Sequence, residues 1–192
     1  MMQRYVAFLR AINVGGHTVR MEDLRRLFET MGAANVQTFI ASGNVIFDSG
    51  VRADALEQRL ETGLEHALRF PVATFLRTIP EVAGIARRTA FPDADVTGPS
   101  VLHVGFLKST PGRTLRAAVA AASTPAHRFS VCDREIYWLR IRLADEYVAP
   151  KLDKALGPTT FRNITTVRKI AAKFGDARPG GKERSSANRS AE

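Results

Sequence analysis

Cysteine, tryptophan and long apolar runs are scarce in this chain of 192 residues. Its single cysteine, Cys132, can form no disulfide within the chain, which is typical of a reducing compartment, and we expect a cytoplasmic location. No apolar run approaches the roughly 20 residues of a membrane helix, so we expect no membrane association. The first residues lack a small-residue cleavage site, so we expect no secretory signal peptide.

Motifs of the familiar catalytic and metal-binding classes are also missing. The four histidines lie far apart in the chain and Cys132 stands alone, so the sequence predicts no metal site. No G-x-S-x-G turn, Walker A loop or dinucleotide fingerprint occurs, and the sequence indicates no cofactor. Because no nucleophile or general base can be named, the question of whether the protein is an enzyme stays open.

Positive charge, by contrast, is abundant. The chain has 28 Lys and Arg against 19 Asp and Glu, a formal net charge of +9, of which residues 175–192 supply only +1. The basic body favours an acidic partner such as a nucleic acid, a nucleotide or phosphate. The alternative, an arginine-rich surface that is simply solvated, stays open. No run of five Lys or Arg occurs, which argues against a polybasic targeting arm.

Strand and helix patterns alternate along residues 1–78. Apolar residues at helical spacing follow a first apolar strand, and Gly32 stands where a helix C-cap favours left-handed backbone. The tripeptide at 42–44 separates two apolar runs and predicts a hairpin. A leucine recurs at every fourth position from Leu56 to Leu68, before a last strand. The order strand-helix-strand-strand-helix-strand is that of a ferredoxin-like α/β plait.

Residues 79–174 repeat much of this order. They add a Pro/Gly-containing loop at 92–99 and, after a hairpin, a short helix near residues 151–156, a threonine-rich loop and a last helix. Because no strand pattern stands before that helix, the second unit is predicted either to lack its last strand or to hide it. We therefore predict an α+β fold of two ferredoxin-like α/β-plait units, residues 1–78 and 79–174, with antiparallel sheets packed together. Residues 175–192 have no apolar face, which predicts a disordered tail.

The stretch TTFRNITTVRKI near the end of the chain predicts an anion-binding helix start. Asn163 or Thr165 suits the N-cap position, and the electropositive helix N-terminus presents free N–H groups. Arg162 and the hydroxyls of Thr160, Thr165 and Thr166 would complete an anion cradle. The alternative, that these residues only cap the helix, stays open because any N-cap uses such side chains.

The segment LRAINVGGHT, which follows the first strand, is a second polar candidate. A strand, a glycine turn and a helix form a setting in which backbone N–H groups meet phosphates, although Gly15 and Gly16 are explained equally by a tight turn. Arg10 and Asn13 stand at the mouth of a buried strand, where polar groups need partners. Asn44, at the predicted hairpin tip, is also compatible with ordinary turn chemistry.

These motifs resemble those of the bacterial domain-of-unknown-function 1697 family, whose members typically read R-G-I-N-V-G-G, then S-G-N-V, then T-x-R-N-x-x-T-V. The resemblance covers residues 4–174 and implies two intertwined α/β-plait halves, with no established activity, substrate or cofactor. Ala11 stands where the family usually has Gly, and His17-Thr18 replaces a basic-polar pair such as Lys-Asn. If that Lys contacts a ligand in the family, His17 would make the site here pH-sensitive.

Three hypotheses follow for the function. The first is a site for an anionic, phosphate-bearing small ligand between the first loop and the last helix, with Arg162 pairing bidentately with the anion. The second is a nucleic-acid binder that uses its basic charge along an open sheet face. The third is that the motifs are structural and pin the two halves together. Oligomeric state stays open, and the candidate ligand-binding residues are Arg10, Asn13, Gly15, Gly16, Asn44, Thr160, Arg162, Asn163, Thr165 and Thr166.

Overall fold

The structure, a computed structural model, describes residues 2–13, 16, 18–40, 43–91, 100–141, 152 and 155–175. The strands within them are β1 (Gln3–Leu9), β2 (Ala34–Thr38), β3 (Asn44–Ser49), β4 (Thr74–Thr78), β5 (Ser100–Phe106), β6 (His127–Cys132), β7 (Glu135–Ile141) and β8 (Thr160–Asn163). The helices are α1 (Met21–Thr30), α2 (Ala53–Leu68), α3 (Ile79–Arg87), α4 (Arg113–Ala121) and α5 (Ile164–Phe174). None of these helices is both long and apolar enough to cross a membrane.

The first unit is a four-stranded antiparallel sheet in the order β2-β3-β1-β4. Because side chains alternate along a strand, Tyr5, Ala7 and Leu9 of β1 lie on the face that packs against α1 and α2, in one cluster with Leu24 and Leu60. The opposite face of the sheet enters a second cluster, so both faces are buried. Strands β1, β3 and β4 of this unit therefore present no open sheet face.

The second unit has a sheet of the same order, β6-β7-β5-β8, also antiparallel throughout. Its last strand is present, because the threonine-rich segment that we expected to be a loop forms β8 beside β5. Four polar and aromatic residues are too few to show an alternating pattern, and pairing with β5 rather than local preference makes this segment a strand. The short helix predicted near residues 151–156 lies partly outside the described residues, as do the predicted loop at 92–99 and nearly all of the tail.

The two units repeat each other in register as well as in strand order. In the first unit Val6 of β1 pairs with Arg77 of β4, and in the second Val104 of β5 pairs with Arg162 of β8. Arg77 and Arg162 therefore occupy equivalent positions. Equivalent residues are 98 positions apart in β1 and β5 but 85 apart in β4 and β8. This changing offset explains why no residue-level repeat is visible in the sequence.

A second pair of equivalent positions faces these arginines. Phe8 of β1 pairs with Asn44 of β3, and Phe106 of β5 pairs with Glu135 of β7. Asn44 and Glu135 are thus counterparts, although one is neutral and the other is a carboxylic acid. The two halves therefore differ in charge at this position.

One apolar core is shared by the inner faces of both sheets and by α3 and α5. The rings of Phe8 and Phe106 stack at its centre, with centroids 3.9 Å apart and planes within 11°. Burying one such aromatic side chain contributes about 1.5–3 kcal/mol to the free energy of folding. Exposing this face of either unit to water would therefore destabilise the protein. The buried members of the core include Val6, Ile46, Phe75, Ile79, Val82, Ile85, Val104, Tyr137, Leu139, Ile164, Val167, Ile170 and Phe174.

The free edge of β4 is occupied by side chains rather than by another strand. The carboxylate of Glu61 accepts the backbone N–H of Thr74 at 2.7 Å, and that of Glu57 accepts the N–H of Leu76 at 3.0 Å. Lys108 of the second unit bridges both carboxylates and the Thr74 carbonyl. These contacts protect an edge that would otherwise pair with another chain, and they join the two units.

Arg4 and Asp48 form a partly buried ion pair across β1 and β3. Two parallel bonds of 2.7 and 2.9 Å join the guanidinium to the carboxylate, which also accepts the Asn35 amide at 2.8 Å. The hydrogen bond from Arg4 lowers the pKa of Asp48 below its ordinary value, although burial opposes this shift. Such bidentate pairs are among the stronger side-chain interactions in proteins.

We predict that Asp48→Asn destabilises the protein at pH 7 by about 1–3 kcal/mol, because a charged hydrogen-bonded pair is lost. Since the folded-state pKa of Asp48 is lowered, its contribution is fully present above the ordinary value of 3.8 and is lost as the pH falls through the lower, folded-state value. Urea unfolding from pH 7 to pH 2.5 should therefore show the gap between wild type and variant closing at the acid end. Asp54→Asn, at an exposed position of α2, is the control, and a gap that stays constant to pH 2.5 would contradict the assignment.

Candidate functional site

Arg162 lies on the inner face of β8 and crosses from the second unit to the first. Its side chain is buried, and Nε donates to the Asn44 Oδ1 atom at 2.7 Å. Nη2 donates to the carbonyl of Leu9 at 2.7 Å and to that of Gly43 at 3.4 Å. The first strand and the β2–β3 hairpin are therefore held by one residue that is more than 100 positions away in the chain.

The remaining donors of Arg162 are bound within its own strand. Nη1 donates to the Thr160 hydroxyl at 2.7 Å and to the Phe161 carbonyl at 2.8 Å, and the Thr160 hydroxyl in turn donates to the Leu9 carbonyl at 3.4 Å. All five guanidinium N–H groups thus have an acceptor inside the protein. The predicted bidentate pairing of Arg162 with an external anion does not fit this geometry, because it would break these bonds.

The charge of Arg162 is costly to bury, and the protein retains it. Burial lowers its pKa to about 10, so the guanidinium remains protonated at neutral pH. Charge-assisted bonds to neutral oxygens compensate the lost hydration. Arg162, which the sequence motifs indicated as a ligand-binding residue, therefore connects the two units.

Arg77 makes the equivalent connection in the opposite direction. From β4 of the first unit, its Nε donates to the Glu135 carboxylate at 2.7 Å. Nη2 donates to the carbonyls of Leu107 and Arg134 at 3.0 and 3.1 Å, and Nη1 to that of Leu76 at 2.7 Å. Burial lowers the pKa of Arg77, while Glu135 opposes that shift. We call these two residues the arginine clamps.

The first polar loop is only partly within the described residues. Asn13 accepts the backbone N–H of Val19 through its side-chain oxygen at 2.7 Å, which closes the loop before α1. The Arg10 side chain is exposed and its backbone N–H donates to the Ala73 carbonyl. Gly16 has a φ of +90°, as expected for a tight glycine turn. Gly15 and His17 lie outside the described residues.

The hairpin tip is shaped by Gly43 and Asn44. Asn44 is fully buried and its amide donates to the Phe39 carbonyl at 3.0 Å while its oxygen accepts from Arg162. Gly43 has a φ of +72°, and a Cβ there would lie 2.6 Å from Ile12. Turn chemistry alone therefore does not explain these residues, since both also support the Arg162 clamp.

The start of α5 is where sequence reasoning and structure agree most closely. Asn163 is the N-cap, and its side-chain oxygen accepts the Thr165 backbone N–H at 2.8 Å. Thr165 is exposed and Thr166 is half-buried. Asn163 and Thr165 face a cleft, whereas Thr160 and Arg162 point into the interface between the units. The predicted site therefore divides into two groups with different surroundings.

The cleft has a volume of about 500 Å³ and lies between the end of α3, the start of β5 and the start of α5. We call it the arginine cleft, because Arg87, Arg88 and Arg168 line it together with Asn163 and Thr165. Its described lining contains no Asp or Glu. Arg10, Asn13, Gly16 and Asn44 are not among its described lining residues.

Sequence reasoning missed the three arginines of this cleft. Arg87 and Arg88 follow each other at the end of α3, and Arg168 lies one helical turn after Thr165. The spacing from Thr165 to Arg168 was readable as one face of a helix. The sequence did not show that α3 lies beside α5, because the two helices are about 80 positions apart in the chain and meet through the shared core.

The arginines that line the cleft differ in how many hydrogen bonds and ion pairs they form with the rest of the protein. Arg88 donates to the Cys132 sulfur and to the Asp133 carboxylate, both at 3.2 Å, and this ion pair is solvent-exposed. Arg168 makes a long bond of 3.4 Å to the Ala86 carbonyl. The Arg87 side chain is exposed. An entering anion could recruit the latter two arginines without breaking a buried network.

The start of α3 gives an internal comparison for the start of α5. At α3, the Glu81 carboxylate accepts the backbone N–H and the hydroxyl of the Thr78 N-cap, and it pairs with Arg134 at 2.7 Å. Burial raises the pKa of Glu81, but these bonds leave it below its ordinary value. Three residues after the Asn163 N-cap, α5 has Thr166 instead. Within the described residues, the protein thus supplies an anion at the start of α3 and none at its counterpart, the start of α5.

Within the described residues no group of three or more His, Cys, Asp and Glu could hold a metal ion. The charged groups in the described lining of the arginine cleft are all guanidinium groups, which repel cations and donate hydrogen bonds to anions. The chemistry that this arrangement supports is therefore recognition of negative charge.

Comparison with known proteins gives a family and a fold. The model of a family described as "Protein of unknown function (DUF1697)" matches residues 2–137. The solved structure of the conserved bacterial protein SP0830 from Streptococcus pneumoniae is similar to this chain with a TM-score of 0.70 and 22% identity, over 90% of this chain and 98% of that one. At this identity the likeness shows the fold alone. No match is found among curated proteins.

We predict that Arg162→Ala lowers the free energy of unfolding by roughly 3 kcal/mol, because buried acceptors in both units lose their donor. Urea unfolding checks this with two probes: circular dichroism for the whole chain and the fluorescence of Trp138 in the second sheet. The exposed Arg113→Ala should change stability by about 0.5 kcal/mol or less. An Arg162→Ala protein as stable as the control would show that the clamp does not hold the units together.

Gly43→Ala and Gly16→Ala should separate strain from crowding at two glycines with positive φ. At Gly16 no atom of the described residues lies within 4 Å of an added Cβ, so only the cost of left-handed backbone, about 1 kcal/mol, is expected. At Gly43 the clash with Ile12 adds to that cost, for a total of roughly 2–4 kcal/mol. Thermal unfolding of both variants provides the measurement, and equal losses would contradict the crowding at the hairpin tip.

Proposed function

The chain belongs to the DUF1697 family of unknown function, as its motifs predicted, and we propose that it binds an anionic, phosphate-bearing ligand in the arginine cleft. The observation that carries this proposal is the convergence of Arg87, Arg88 and Arg168 on one cavity whose described lining has no carboxylate. A volume of about 500 Å³ lies within the usual range for small-molecule sites.

The proposed roles follow from how each group is held. Arg87 and Arg168 pair with the anion, since their side chains are exposed at the rim. The first backbone N–H groups of α5 lie beside the cleft and favour negative charge there. Asn163 orients this helix start by capping it. The comparison with Glu81 supports the idea that an external anion takes the place of a carboxylate.

The third hypothesis, a structural role for the motifs, is supported separately by the arginine clamps. Arg162, Thr160 and Asn44 position β8 and therefore the start of α5, but they do not contact the ligand in our proposal. The two hypotheses thus apply to different residues of the same motif. We propose binding and not a particular reaction, and we keep a cytoplasmic location as part of the proposal.

A thermal-shift experiment tests the proposal with inorganic phosphate, pyrophosphate, glucose 6-phosphate and AMP. A ligand present at about one hundred times its Kd should add about 2.7 kcal/mol to the free energy of unfolding, which is a clear rise in Tm. The double variant Arg87→Ala/Arg168→Ala should lose this rise while its Tm without ligand stays near that of wild type, because both positions are exposed.

Arg113→Ala, at an exposed position of α4 away from the cleft, is the matched control and should keep the full response. A wild-type protein that responds to none of these anions would refute the proposal. So would a response that the double variant retains in full, because the anion would then bind elsewhere.

A further inference from the structure

We propose that the phosphate-bearing ligand is a single-stranded nucleic acid, whose backbone enters the arginine cleft and continues along the exposed face of α5. This inference rests on the proposed function and names the ligand class of the same site. The nucleic-acid surface proposed here is a helix face, whereas the sequence led us to expect an open sheet face.

The exposed face of α5 is a stripe that begins at the cleft. Its solvent-exposed positions recur at spacings of three, one, three and one residues, which places them on one side of the helix. They are Thr165, Arg168, Lys169, Ala172 and Lys173. Its opposite side is buried in the shared core. With a rise of about 1.5 Å per residue the stripe is about 12 Å long, enough for a few nucleotides of an extended strand.

The stripe carries three cations and no acid, since α5 contains neither Asp nor Glu. The exposed face of α1 is different, because Arg25 there pairs with Glu22 at 2.7 Å and with Glu29 at 2.5 Å. A face of paired charges is an ordinary solvated helix surface. Among the described residues no acidic side chain pairs with the cations of α5, and these cations produce a local positive potential that attracts a polyanion.

The charge of the whole chain is concentrated in the same unit. Residues 79–174 contain 15 basic and eight acidic residues, a net charge of +7, whereas residues 1–78 contain nine and eight, a net charge of +1. An arginine-rich composition spread over the surface would not separate the two halves in this way. The excess of positive charge in residues 79–174 favours a partner with more than one phosphate, and therefore a polynucleotide over a single small anion.

An aromatic ring lies at the far end of the stripe. The Lys173 ammonium is 5.8 Å from the centroid of the Phe39 ring, which is half-buried beside α5. Cationic and aromatic side chains placed together are typical of proteins that bind unpaired bases, because every base can stack on a ring. This ring is the feature that favours a nucleic acid over an acidic peptide.

Fluorescence anisotropy with a labelled 12-nucleotide oligothymidylate tests the inference, alongside the thermal-shift response to inorganic phosphate and AMP. Lys169→Ala/Lys173→Ala should weaken oligonucleotide binding roughly tenfold at 150 mM salt and reduce the salt slope by about 1.4, as expected for two lost phosphate contacts on a single strand. The same variant should keep the wild-type thermal shift with phosphate and AMP. Arg113→Ala/Arg116→Ala removes two exposed charges from α4 of the same unit and should have little effect.

The outcomes separate the two proposals. If phosphate or AMP binds through Arg87 and Arg168 but the oligonucleotide binds no tighter, or binds without dependence on Lys169 and Lys173, the nucleic-acid inference is overturned and the cleft remains. If the α4 variant weakens binding as much as the α5 variant, attraction is diffuse and the stripe is not the site. If neither small anions nor the oligonucleotide bind, both proposals fall together.

Discussion

Two buried arginines that point in opposite directions across the contact between the units are the interaction on which the rest of this structure depends. Arg77 reaches from the first unit to Glu135 and two backbone carbonyls of the second, and Arg162 reaches back to Asn44 and two carbonyls of the first. The carbonyls of Gly43 and Arg134 also accept the backbone N–H groups of Leu9 and Leu107, so at these two carbonyls the arginine adds a second donor from the other unit. The clamps therefore fix where each sheet ends against the other.

That constraint determines the position of the arginine cleft. Because Arg162 fixes β8, and α5 begins at the residue after β8 ends, the start of α5 cannot shift without breaking the clamp. α3 follows β4 in the same way, directly after the strand that carries Arg77. Both helices pack in the shared core, so Arg87, Arg88 and Arg168 are brought together on a rigid support. The proposed surface site in this way depends on a buried hydrogen-bond network.

Sequence reasoning identified the fold class and most elements, because apolar periodicity and glycine turns are local properties. It also named Asn163 or Thr165 as the N-cap of the last helix, of which the structure has Asn163, and it identified the TTFRN segment as chemically unusual. It assigned Arg162 to ligand binding, because an isolated sequence does not distinguish an arginine with internal acceptors from one facing solvent. β8 was missed for a related reason, since its pairing partner β5 is more than 50 residues away.

The sequence by itself determined the two plait units, the absence of a disulfide framework and the concentration of positive charge after residue 78, since each depends only on residue type and order. Tertiary structure alone decided that Arg77 and Arg162 are counterparts, that Arg162 is inside and Arg168 outside, and that α3 and α5 enclose a cleft. The physical reason is that hydrogen-bond satisfaction and burial are properties of contacts between distant segments. The spacing of residues along the chain does not encode these contacts in a readable form.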